Sequence, residues 1–298
     1  MSQILRGLPV QAAIMDRLKP RIAHLERPPG LAVVLVGNDP ASEIYVAHKV
    51  KACHELGIYS EKISPPETST TAELVAVVES LNQDAKIDGI LVQMPLPRHV
   101  DSRKVLESIA ADKDCDGFHP LNVGFLVANR PAPRSCTPAG VIALLKHYEI
   151  PIEGRTAVVL GRSDTVGKPM ALMLLNESST VTICHSRTHD LQDVCRRADI
   201  LVAAIGKPGF VTAEFMAPGV TVVDVGINRI DNAADAARLG RGAEFAKKGR
   251  VVVGDVHPMD VAKVAGAYTP VPGGVGPLTI AMLMANTVEL AEKHQPSG

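Results

Sequence analysis

Three residues whose side chains could do chemistry share one repeat: Ser42-x-x-Tyr45-x-x-x-Lys49. Positions three and four apart face the same side of a helix. At about 100° per residue, Lys49 falls near the middle of a stripe with Tyr45, Val46, Ala52, Cys53 and Leu56. Lys51, His54 and Glu55 face away, but so do Ile44 and Ala47, so the helix is not cleanly amphipathic. A lysine centred on an apolar stripe is expected to be partly desolvated. Desolvation disfavours the ammonium, which would make the amine a proton acceptor nearer neutral pH. The alternative is a lysine that snorkels from a helix edge. Gln93 ends the apolar run GILVQ and offers a donor and an acceptor at a strand's carboxyl end; it could equally be a capping amide. Asp116 lies in the polar loop Lys113–Gly117, as a ligand group or a plain turn residue.

A second constellation lies further on. The run Thr156–Leu160 leads into Gly161-Arg162-Ser163-Asp164-Thr165-Val166-Gly167-Lys168-Pro169 and then a helix through Leu175. Glycines at a strand-to-helix turn let backbone N–H groups approach a pyrophosphate. The spacing is G-x5-G and not G-x-G-x-x-G, so the turn alone leaves dinucleotide binding and a tight turn equally open. Its place at the head of a parallel series favours the dinucleotide. An NAD site wants an acidic residue at the end of the second strand. Here Val181–Cys184 ends in His185-Ser186-Arg187, and Asp190 comes later. Ser186 and Arg187, with Arg162 from the first loop, suit a 2′-phosphate, because Arg is a permanently charged planar fork. NADP is therefore expected over NAD, the alternative being that Arg187 only faces solvent. Thr269–Pro277, TPVPGGVGP, is a rigid yet permissive loop that can bring backbone against a flat ligand, or simply connect.

Composition narrows the partners. The 298 residues carry 31 Lys+Arg against 32 Asp+Glu, a net charge of −1, which leaves no basic footprint for nucleic acid or an anionic membrane. Aromatics are 3%, with no Trp, 4 Tyr and 5 Phe, too few for base-stacking platforms. Five scattered cysteines without a CxxC argue against a disulfide framework or a cysteine metal site. The opening MSQILRGLPV does not read as a signal peptide, and Ile280–Ala285 is too short an apolar run to span a bilayer. The expectation is a cytoplasmic protein with no bound metal.

The elements that must position these groups alternate. Leu31–Gly37 and Gly89–Gln93 read as buried strands, and Ala41–Leu56 and Thr70–Asn82 as helices. Segment 116–138 reads as loop-rich. After Pro138 comes a helix to about Tyr148, then strands Thr156–Leu160, Val181–Cys184, Ile200–Ile205, Val220–Val225 and Val251–Val253, the series expected of a parallel sheet with helices on both faces. Asp231–Lys248 reads as an exposed insertion or helix. The boundary between halves is expected near Pro138–Pro151.

Together these segments closely resemble the bifunctional methylenetetrahydrofolate dehydrogenase/cyclohydrolase family. The matches are S-x-x-Y-x-x-x-K at Ser42–Lys49, DGILVQMPLP at Asp88–Pro97, KDCDGFHPLNVG at Lys113–Gly124, CTPAG at Cys136–Gly140, GRSDTVGKP at Gly161–Pro169, CHSRT at Cys184–Thr188, DVGIN at Asp224–Asn228 and TPVPGGVGP at Thr269–Pro277. They follow the family's order along nearly the whole chain. The resemblance implies two α/β domains with a cleft between them, the second Rossmann-like. Residues 1–138, completed by a C-terminal helix in 274–298, would bind folate, and 139–273 would bind NADP. It implies a homodimer joined through the cofactor domains. It implies oxidation of 5,10-methylenetetrahydrofolate by NADP, then hydrolysis of the methenyl cation to 10-formyltetrahydrofolate, in one-carbon metabolism and purine biosynthesis.

Residue by residue, the resemblance makes Lys49 the general acid/base, Gln93 the group that places its amine, and Tyr45 a wall along the folate. Asp116 would bind the donor edge of the pterin. Pro272, Gly273 and Gly274 would line the folate, and Gly161, Arg162, Ser163, Ser186, Arg187 and Ile227 would meet the cofactor. Thr165, Cys115, Ala111 and Met94 depart from the family's usual Ile or Val, Val, Pro and Leu, and none removes a group with a catalytic role. An NAD-specific or monofunctional member, or a non-catalytic dinucleotide binder, is the competing expectation.

Overall fold

Runs rich in Val, Ile and Leu become strands in the computed structural model, which describes residues 2–295. The strands are β1 (Gln3–Ile4), β2 (Gly30–Val34), β3 (Tyr59–Ile63), β4 (Gly89–Val92), β5 (Thr156–Leu160), β6 (Thr180–Cys184), β7 (Ile200–Ala203), β8 (Thr221–Asp224), β9 (Asn228–Ile230), β10 (Val251–Val253) and β11 (Ala267–Tyr268). The chain divides into two compact units, one of Ala12–Cys136 with Ile280–Gly298 and one of Met1–Gln11 with Thr137–Thr279.

The first unit is built on a parallel sheet of order β3-β2-β4, with Leu31 opposite Gly89 and Gly30 opposite Tyr59. β2 and β4 are buried throughout, as their unbroken apolar sequences require. β3 is the half-exposed edge strand YSEKI, whose mixed composition hid it from the hydrophobic pattern. The helix Pro40–Leu56 starts on Asp39, whose carboxylate accepts from Ser42 N at 2.8 Å, and stops at Gly57 in the left-handed region. The helix Thr71–Gln83 opens with a Thr70/Glu73 capping box. Its Leu74, Val78 and Leu81 pack with Ala32, Val34, Ile90 and Val92. From Ile280 on, the last helix supplies buried Leu283, Met284, Val288 and Leu290 to this unit, with Met284 Sδ 3.6 Å from Cys53 Sγ. Below β4, buried Asp88 accepts two bonds from Arg27, at 2.7 and 2.8 Å, and one from Gly30 N, and lies 3.1 Å from His294 Nδ1.

The second unit holds a six-stranded sheet of order β1-β11-β8-β7-β5-β6, parallel throughout. The first eleven residues group here, and not with the segment up to 138, because β1 pairs with β11. Val251–Val253 does not extend the parallel series: β10 pairs antiparallel with β9 in a separate ribbon. Asp231–Lys248 contains two short helices, Ala233–Arg238 and Gly242–Lys248, over a small core of Ile230, Ala236, Leu239, Val251 and Val253. Segment 116–138 is not all loop, since PLNVGFLV forms the helix Pro120–Val127 behind an N-terminal proline. Among the described residues no helix is long and apolar enough to cross a membrane.

Candidate active site

Lys49 stands half-buried one turn after Tyr45, on a helix whose inner face is Ser42, Val46, Ala52, Cys53 and Leu56. Its Nζ donates to Gln93 Oε1 at 2.9 Å. Gln93 follows β4 directly and donates its own Nε2 to Met94 O at 2.7 Å, so the amide is held with its oxygen toward the amine. Tyr45 is not part of the buried stripe; it is 42% exposed and free to lie along a flat ligand.

Asp116 joins this group electrostatically. Desolvation pushes its carboxyl up to about 6; the Lys49 ammonium pulls it back down, and the neighbouring Asp114 adds to the rise. Asp114 is itself fixed, its Oδ2 accepting from His119 N at 2.8 Å and from Asn122 Nδ2 at 2.9 Å. A backbone bond from Ile90 N to Lys113 O ties the loop to β4. An amine, an amide, an ionisable carboxyl and an exposed phenol thus serve one surface of the first unit. That set can take a proton from water and hold a polar heterocycle by its donor edge.

The second unit carries the other constellation at the carboxyl ends of its strands. The sheet order reverses between β5 and β7, where ligands of open α/β sheets collect. Gly161 follows β5 with φ +129°, and a Cβ there would sit 2.2 Å from Ala204 O, so only glycine fits. Ser163 Oγ accepts from Val166 N and Gly167 N, which turns the loop into the helix Gly167–Asn176. Arg162 and Ser163 remain exposed. After β6, Thr188 Oγ1 accepts from His185 N and His185 Nδ1 from Arg187 N, a turn that presents exposed Ser186 and Arg187. Ile227 is 52% exposed after β8. In the loop after β11, Gly273 accepts from Gly7 N at 2.9 Å; Pro272 is exposed, and Gly274 is buried where a Cβ would meet Pro270 O at 2.6 Å.

Two residues here have roles that the sequence reading did not assign. Asp255 is fully buried, accepting from Ile205 N, Gly206 N, Lys207 N and Asn228 Nδ2. Asp224 accepts from Gly226 N, Asp255 N and Val256 N, while burial pushes its carboxyl up to about 7. Together they pin the loops after β7 and β8, including the stretch that presents Ile227. The available signal was an acid closing or following an otherwise apolar strand, as in TVVD and VVVGD.

Comparison with known proteins places these features in context. Residues 5–116 match the catalytic-domain model, and residues 135–295 the NAD(P)-binding-domain model, of tetrahydrofolate dehydrogenase/cyclohydrolase. Bifunctional protein FolD of Solibacter usitatus is 60% identical, covering 99% of this chain and 99% of the relative. The solved structure of the Campylobacter jejuni bifunctional enzyme FolD, at 44% identity, superposes with a TM-score of 0.90 over 98% of this chain and 99% of that one. That of Trypanosoma brucei FolD, complexed with NADP and an inhibitor, has 36% identity and a TM-score of 0.88 over 98% of each chain.

Proposed function

This chain belongs to the tetrahydrofolate dehydrogenase/cyclohydrolase family, and from that premise we propose the part each of its residues plays in a bifunctional reaction. The enzyme oxidises 5,10-methylenetetrahydrofolate to the 5,10-methenyl cation with NADP and hydrolyses that cation to 10-formyltetrahydrofolate. The observation that carries the assignment is the Lys49–Gln93 contact of 2.9 Å on the helix-and-strand frame of the first unit.

The turn after β5 fits a dinucleotide, since Gly161 lets this loop pack directly against Ala204 O, where a Cβ would clash, and exposed Arg162 and Ser163 follow it at the junction of strand and helix. NADP, when bound, accepts a hydride. Gly161, Arg162 and Ser163 would hold it through backbone and hydroxyl, Ser186 and Arg187 would take its 2′-phosphate, and Ile227 would pack against it. Asp116 would accept from the pterin's donor edge, Tyr45 would lie along the folate, and Pro272, Gly273 and Gly274 would contact it through backbone and ring. The folate nitrogens push out the hydride without a strong base. Water attack on the methenyl carbon does need a base, and Lys49 would take that proton, its amine held in place by Gln93. Ring opening then breaks the bond to the departing nitrogen, which takes one proton, while the carbinol O–H loses the other to solvent as the formyl C=O forms, the one net proton the hydrolysis releases.

The homodimer and the cytoplasmic location belong to the same reading. The first is supported by β6, an outer strand with exposed Thr182 and Ile183, and the second by five reduced, buried cysteines.

The decisive experiment is Lys49→Met. Methenyl hydrolysis is expected to fall by at least about a hundredfold, the usual worth of a general base, while the KM for NADP holds. Hydrolysis at the wild-type rate would remove Lys49 from its role, and a dehydrogenase rate that is higher with NAD than with NADP at equal concentration would overturn the cofactor assignment.

A further inference from the structure

Asp116 is held by a set of bonds that the proposed reaction does not yet use. Cys136 Sγ lies 3.8 Å from Asp116 Oδ1 and 3.5 Å from Cys115 O. Asn286, in the last helix and 4% exposed, donates Nδ2 to Cys115 O at 2.8 Å and to Arg134 O at 2.9 Å, and the same nitrogen lies 3.6 Å from Cys136 Sγ. An amide nitrogen has two hydrogens, and both go to carbonyls. One belongs to the residue just before Asp116 and the other to the segment leading into Cys136. Asn286 therefore fastens the two strips of backbone between which the Asp116 carboxyl sits.

The thiol has a single proton to place. Of its two acceptors, Cys115 O is neutral and already takes the short bond from Asn286, whereas an ionised Asp116 Oδ1 is the stronger acceptor. Burial pushes the Cys136 thiol well above its ordinary range, so it keeps that proton and stays a donor. Cys115 cannot substitute, because its own Sγ donates to Ile90 O at 3.1 Å.

We propose that Asn286 and Cys136 are positioning residues for Asp116: the amide fixes the spacing of the two segments and the thiol aims the carboxylate at the incoming pterin. The inference rests on the reading of Asp116 as the pterin's acceptor. The groups that act on the Asp116 charge are Lys49 from the helix Pro40–Leu56, Asp114 from its own loop, and Cys136. Of these Lys49 and the Cys136 bond favour the ionised form, so loss of the Cys136 bond raises the pH at which Asp116 protonates.

The test is steady-state kinetics against pH on the full chain with Cys136→Ala, Cys136→Ser, Asn286→Ala and Asp116→Ala. Cys136→Ala is expected to raise the KM for methylenetetrahydrofolate about fivefold, the loss of one modest hydrogen bond. It should also move the acid limb of kcat/KM upward by about 0.5 in pH. Cys136→Ser keeps a donor and restores both. Asn286→Ala raises the folate KM, and an unchanged KM for NADP in every variant shows that the chain has folded. If Cys136→Ala matches wild type in folate KM and pH profile while Asp116→Ala is impaired, the inference is overturned and the role of Asp116 stands. If Asp116→Ala takes folate as the wild type does, both fall.

Discussion

Asp116 can accept through both oxygens from a pterin's donor edge only while it is ionised. With its carboxyl pushed up to about 6, the carboxylate is complete well above that pH and is lost as pH falls through it. The kcat/KM for methylenetetrahydrofolate is therefore expected to drop below about pH 6, and Asp116→Asn to abolish that limb at a lower plateau, as a pH–rate profile will record. Arg187, exposed on its turn, leads to a different prediction. Arg187→Ala should weaken NADP about tenfold, as expected for one charge-assisted bond to phosphate, and leave NAD nearly unchanged, measured by titration of each. At this scale the sequence was legible where a side chain announced itself by type and spacing, as Lys49 and Gln93 did. It was silent on Asn286, Cys136 and Asp255, because a buried hydrogen-bond partner has no periodicity and is defined only by distant chain segments.

At the scale of elements, the strand-to-helix turn is the most demanding piece. Gly161 combines a positive φ with backbone contact to Ala204 O, so Gly161→Ala forces the loops after β5 and β7 apart. The expected cost is about 2–4 kcal/mol, seen as a lower midpoint in thermal unfolding together with weakened NADP binding. Buried strands such as β2 and β4 were legible because both faces are apolar. β3 was not, since an edge strand keeps one side polar. β1, β9 and β11 are two or three residues long, too short for any alternation to register. The antiparallel β9–β10 ribbon was misplaced for a related reason: an apolar triplet shows that a strand exists, not which neighbour it pairs with.

At the scale of the molecule, each unit is assembled from two separated stretches of the chain. A chain ending at Thr279 would strip Leu283, Met284, Val288 and Leu290 from the first unit. Four buried side chains at about 1.5–3 kcal/mol each rival the whole stability of a domain, about 5–15 kcal/mol. Such a truncation is expected to lose the cooperative thermal transition of that unit, which calorimetry will show. Synthesis on the ribosome inherits the same constraint. The sheet of the second unit waits for Ala267–Tyr268 before β1 can dock, and the first unit waits for residues 280–295. At about 5–20 residues per second, more than ten seconds pass between synthesis of Cys53 and of Met284, which comes to cover it. Residues 280–295 are thus the stretch that closes the first unit, and a pause in translation ahead of them would leave that unit as a client for chaperones and proteases.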